Sequence, residues 1–189
     1  MQEQQKELTF KDKFNIAHNL CVIHQRGIVV ISRNKWGKNA LGLPCALAFV
    51  LMFLWAAFTQ DPLMYCWLGL WCLCYLKRRA EAGRLSGQVH SFYDGWPCDG
   101  MLFCSSENIA KRVVEPILVG ILGGILRWFY TEQGWSPAGL PNFLLLGVFT
   151  LPVVESVKQK VWERRLDAMK DARFEQESLA QDYRDQFGN

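Results

Sequence analysis

The sequence predicts an all-α, polytopic membrane protein: four transmembrane helices in two antiparallel hairpins, followed by a cytoplasmic C-terminal helix. Three observations predict it. The first is the segregation of charge. Between residues 39 and 76 only Asp61 is charged, and between 116 and 154 only Arg127 and Glu132 are, while 1–39, 77–115 and 155–185 are crowded with charges. A soluble domain alternates polar and apolar residues at helical or strand period; long apolar blocks match the hydrocarbon thickness of a bilayer. The second is that each apolar block is broken once, by the short turns 59–61 and 131–136. The third is the placement of Lys and Arg. All of them except Arg127 fall in 1–39, in the loop 77–112 or after residue 154. Positive charge stays on the cytoplasmic side, and only an even number of crossings puts all three basic segments there. Both termini are therefore expected inside.

The net charge of +3 gives no reason to expect direct contact with nucleic acid. The seven cysteines are odd in number, and Cys66, Cys72 and Cys74 share one apolar segment. This is not a secreted disulfide framework, and reduced thiols are expected. Residues 1–15 are polar, so no cleavable signal peptide is expected. An integral membrane protein of the bacterial inner-membrane type is the expected placement.

Residues 1–39 read as a cytoplasmic segment. Phe10, Phe14, Ala17, Cys21 and His24 repeat at three and four, the stripe of an amphipathic helix, with Lys11, Asp12 and Lys13 off it. Such a helix suits an anionic lipid surface. The β-branched run Gly27–Ile31 predicts a short strand or extended stretch. Trp36 between Lys35 and Lys38 reads as an interfacial anchor.

The first transmembrane hairpin is expected over 40–76. Its first span, Ala40–Phe58, carries no charge and has Pro44 near its start, where proline costs a helix least. The second, about Pro62–Leu76, ends at Lys77-Arg78-Arg79 and places Trp67, Trp71 and Tyr75 on one face. The second hairpin is expected over 113–154. Its first span, about Val113–Tyr130, contains Gly120, Gly123 and Gly124, small residues that let helix backbones approach in lipid. They serve either a dimer face or packing against a neighbouring span. The last span ends near Val154, with Pro152 as a kink or exit. An interfacial hairpin is the alternative for 113–154. Glu115 suits the helix dipole at the start of its span, and Arg127 can snorkel outward.

The loop 77–112 contains His90-Ser91-Phe92-Tyr93-Asp94-Gly95-Trp96-Pro97-Cys98-Asp99. His90, Asp94, Cys98 and Asp99 are a candidate site, as metal ligands or with Cys98 as nucleophile and His90 as base. The plainer reading is an ordered loop held by aromatic packing, because the spacing matches no metal signature. No cofactor is expected. In the tail, Trp162, Leu166, Met169, Arg173, Gln176, Ala180, Tyr183 and Phe187 follow four-three spacing, a heptad seam impure in its middle. Trp162, Leu166, Met169, Tyr183 and Phe187 are its candidate partner-binding residues. The seam is a coiled-coil arm for a partner or for self-association, or else folds back on the N-terminal segment.

These features predict a non-catalytic membrane subunit or scaffold. Its partners would be membrane lipids, proteins on the cytoplasmic side and further copies of itself; a secretion, export or DNA-transfer assembly would suit such a part. A small channel or transporter is the alternative, weakened by the lack of polar residues at mid-span. A membrane-bound enzyme using the 90–104 loop is the other.

Overall fold

The protein was analysed as a computed structural model that describes residues 9–84, 90–97 and 106–187. The described residues are almost wholly helical. Helix α1 is Phe10–Ser32, α2 is Leu43–Thr59, α3 is Pro62–Arg84, α4 is Glu107–Ile109, α5 is Glu115–Glu132 and α6 is Gly139–Phe187. A π-helical turn, Ala110–Val114, joins α4 to α5. Two short strands, β1 (Arg33–Asn34) and β2 (Trp96–Pro97), pair antiparallel with Arg33 opposite Pro97. The chain divides into two compact units at the Val154–Glu155 junction, inside α6.

In the first unit the core forms around the second half of α1. A capping box starts that helix: Thr9 Oγ1 accepts from Asp12 N, and the Asp12 carboxylate accepts from Thr9 N. Residues 10–20 are mostly exposed, but His24 to Val30 are all buried. The expected strand at Gly27–Ile31 is therefore helix. Its β-branched residues lie within a helix of 23 residues, and tertiary packing overrides their local preference. Gly27 permits the close approach: a Cβ there would meet Phe143 Cζ at 2.9 Å and Met52 Sδ at 3.1 Å. Trp36 is also in the core, and not at a lipid interface as anticipated. It is 1% exposed, its Nε1 donates to Arg33 O, and the Arg26 guanidinium lies 4.9 Å from its ring centroid.

Helix α3 supplies the other wall. Its aromatic face turns onto α1, where Trp67 Nε1 donates to Gly27 O at 3.1 Å and Trp71 Nε1 to Arg26 O at 2.9 Å. Tyr75 stacks on Trp71 and donates to Leu41 O. Helix α3 continues past the expected end at Leu76, through the basic run to Arg84. Among the described residues, one helix is long and apolar enough to cross a membrane by length and composition. It is α6, whose apolar stretch has a mean hydropathy of 1.6. Helix α2, at 17 residues, is shorter and apolar. Helix α5 carries Glu115, Arg127 and Glu132, and α3 ends in charge.

The second unit is the rest of α6. Every residue from Lys160 to Arg184 is exposed. Within it, Gln159 donates to Glu163, and Arg173 Nε donates to Glu177 Oε1 at 2.7 Å, each one turn apart.

Candidate functional site

Arg33 follows the last residue of α1 and is fully buried. Its burial is possible because its donors are matched. Nη2 donates to Glu115 Oε2 at 2.6 Å, Nε donates to both Glu115 oxygens at 3.1 Å, and Nη1 donates to Asp94 Oδ2 at 3.1 Å. A guanidinium fork against a carboxylate is the strong form of such a contact. Asp94 also pairs with Lys111 Nζ at 3.0 Å, and Lys111 reaches Glu107 Oε1 at 2.6 Å. Tyr93 closes the group: its hydroxyl donates to Glu107 Oε1 at 2.7 Å, and its ring lies under the Lys111 ammonium. Burial, reinforced by the Glu107 carboxylate, pushes the Tyr93 phenol above its ordinary pKa, so it remains an O–H donor.

The local sequence explains this convergence. Glu107, Lys111 and Glu115 are spaced by four, so they share one face of the continuous helical segment. Backbone bonds hold the 90–97 loop against the 33–40 segment, with Gly37 N donating to Tyr93 O and Asn39 N to Ser91 O. Glycine is required at two of these positions. A Cβ at Gly37 would strike the His90 and Ser91 carbonyls, and Gly95 has φ +88 and lies against Trp36.

Of the loop residues singled out in the sequence, Asp94 is committed to Arg33 and Lys111. His90 is exposed; its Nδ1 accepts from Phe92 N. Cys98 and Asp99 lie outside the described residues. Among the described residues, no three His, Cys, Asp or Glu side chains come together as a metal site.

A second polar knot lies where the two short turns meet. Asp61 is 1% exposed; its Oδ1 accepts from Tyr130 Oη at 2.6 Å and Leu63 N at 3.0 Å, and its Oδ2 from Leu140 N at 2.7 Å. One carboxylate thus ties the starts of α3 and α6 to the end of α5. Gly139 is pressed against Thr59 and Asp61, so tightly that a Cβ would not fit. A cleft of about 410 Å³ opens beside this knot, lined by Gln60, Leu63, Tyr130 and Trp135. A third buried polar group is His24, expected outside the spans. Its Nδ1 meets Thr150 Oγ1 at 2.9 Å and its Nε2 meets Phe143 O at 3.1 Å.

The three glycines of α5 separate. A Cβ at Gly120 would meet Val148 at 3.0 Å, and one at Gly123 would meet Leu145 at 3.1 Å, so both face the first part of α6. Gly124 has nothing within 4 Å. In the tail, Trp162, Leu166, Met169 and Tyr183 are all exposed, as is Phe174, which lies off the heptad seam. Phe187 is the last residue of α6, and its side chain lies outside the described residues. Arg33, Lys111, Asp61 and His24 had no place in the sequence-based site. Arg33, Asp61 and His24 meet partners dozens of residues away, while Lys111 meets Asp94, 17 residues earlier; the four-residue spacing of Glu107, Lys111 and Glu115 is the local sign of a shared face.

No protein-family model, no curated protein and no solved structure matches this chain.

Proposed function

We propose that the chain is a non-catalytic membrane subunit: a four-span bundle that sits in lipid, with α1 wedged into it, and offers a cytoplasmic helix on which a larger assembly is built. The observation that carries this reading is that apolar side chains are exposed in two different patterns. In the first unit, large apolar residues face outward on four helices, among them Phe53 of α2, Leu73 of α3, Ile121 of α5 and Phe149 of α6. The charges of Arg33, Asp61 and Glu115 are turned inward and matched. Water would favour the reverse, and a monomer rarely exposes apolar surface this widely. In lipid the arrangement is favourable: apolar groups meet acyl chains, and each buried charge keeps its partners. A helix of 17 residues spans roughly 25 Å, which suits a bundle that thins the bilayer locally.

The second unit is different. Trp162, Leu166, Met169 and Tyr183 follow one seam, with Val161, Phe174 and Leu179 off it and charges filling most of the positions between. That pattern suits a protein surface in water. Lys158, Lys160, Arg164 and Arg165 begin this helix, which supports a cytoplasmic, membrane-proximal start. A bacterial inner membrane is the placement we propose. Deleting residues 160–189 tests the reading. The shortened chain is expected to stay in membranes after carbonate washing, while the complex extracted in mild detergent falls to the mass of the bundle alone. An unchanged complex would contradict the assembly role.

A further inference from the structure

We propose that the seam of the C-terminal helix is covered by the same seam of a second copy of this chain, running antiparallel. This rests on reading the tail as an assembly element and names what it binds. The argument is charge complementarity along a helix that is exposed on every side from Lys160 to Arg184.

The seam reads Trp162, Leu166, Met169, Arg173, Gln176, Ala180, Tyr183, with position 187 at its end. Two such helices can pair antiparallel about a point between Phe174 and Glu175. Leu166 then falls opposite Tyr183 of the second copy, and Met169 opposite Ala180. Position 162 falls opposite position 187. The two polar positions meet at the centre, Arg173 facing Gln176 of the second copy. A polar layer of this kind fixes register and orientation. Arg173 already donates to Glu177 in its own helix at 2.7 Å, so its charge enters the seam with a carboxylate beside it.

The flanking positions agree. Lys170 falls opposite Glu177 of the second copy, and Glu163 opposite Arg184 of the second copy; symmetry makes each pair twice. Ala172 meets Leu179 of the second copy on the other side, which gives the exposed Leu179 a cover. A parallel pair in register fares worse. It sets Arg173 against Arg173 in the seam and Arg165 against Lys170 on the flank, like charges in both places.

The test uses the full chain in mild detergent, with its mass followed by light scattering through a dilution series. Lys170→Glu alone and Glu177→Lys alone each turn two attractive contacts repulsive, and each is expected to weaken association about tenfold. The Lys170→Glu/Glu177→Lys double variant restores both contacts and is expected to associate like the unaltered chain. These positions are exposed, so the helix itself tolerates the changes. Spin labels placed at position 163 through a non-natural amino acid are expected about 35 Å apart, from 23 residues of helical rise between level positions.

Labels about 10 Å apart, or tighter association of Lys170→Glu, would establish a parallel pair and overturn the proposal. A complex that is lost on deleting 160–189 but is indifferent to either single charge reversal would overturn the antiparallel pair alone. A complex unchanged by the deletion would overturn the assembly reading with it.

Discussion

Glu115 sits 3% exposed at the start of α5, where Arg33 meets it with two nitrogens. Removing one member of a buried pair costs about 3 to 5 kcal/mol, and the low end applies to Glu115 because Arg33 keeps Asp94. Glu115→Gln is expected to destabilise the bundle by that order, read as a fall in the unfolding midpoint in detergent. An Arg33→Met/Glu115→Met double variant is expected to recover much of the loss, because it removes both charges. Asp61 gives a milder case. Tyr130→Phe deletes one of its three donors and is expected to cost about 1.5 to 3 kcal/mol, the usual range for a bond to a charged group. In the sequence, Asp61 stood out as the sole charge of its block. Its partners Tyr130 and Leu140 are 69 and 79 residues away, and no local pattern announces them. Glu115 was legible as a helix-start carboxylate. The cation that neutralises it was not, because Arg33 lies 82 residues earlier.

At the scale of elements, the decisive one is α1. That its first half is helical was readable, and so was the Trp67, Trp71, Tyr75 face of α3. That the two meet was not. The run Gly27–Ile31 favours strand on local preference alone, and only the wall built by Met52, Trp67, Trp71 and Phe143 makes it a buried helix. Two glycines expose the logic of that packing. Gly27→Ala puts a methyl group into Met52 and Phe143 and is expected to destabilise by about 1 to 3 kcal/mol through overpacking. Gly124→Ala meets empty space and is expected to be neutral or to stabilise by about 0.5 to 1 kcal/mol, since alanine suits a helix better. The pair is compared by thermal unfolding in one detergent. Equal effects would mean that α1 is not seated against α2 and α6 as described. Helix α6 was also half legible. The four-three spacing marked the tail as a helix that could continue the last span, while Pro152 argued for a kink or an exit there, since proline usually ends or kinks a helix.

For the whole molecule, the all-α class was the most accessible feature, because helical periodicity extends over dozens of residues. The polar interior was the least accessible. Arg33, Asp61, Glu115 and His24 are each paired by tertiary geometry, and under the proposed membrane placement such matched groups would secure the helices from within. The central claim is therefore one of orientation: the two short turns lie on the side opposite the basic segments. Amine labelling tests it directly, because the turns 59–61 and 131–136 contain no lysine. Gln133 is exposed, and Gln133→Lys places an amine there. A membrane-impermeant amine reagent applied to intact cells is expected to label the Gln133→Lys chain and to leave the unaltered chain unlabelled. Labelling of both chains alike, or of neither until the cells are opened, would contradict the account.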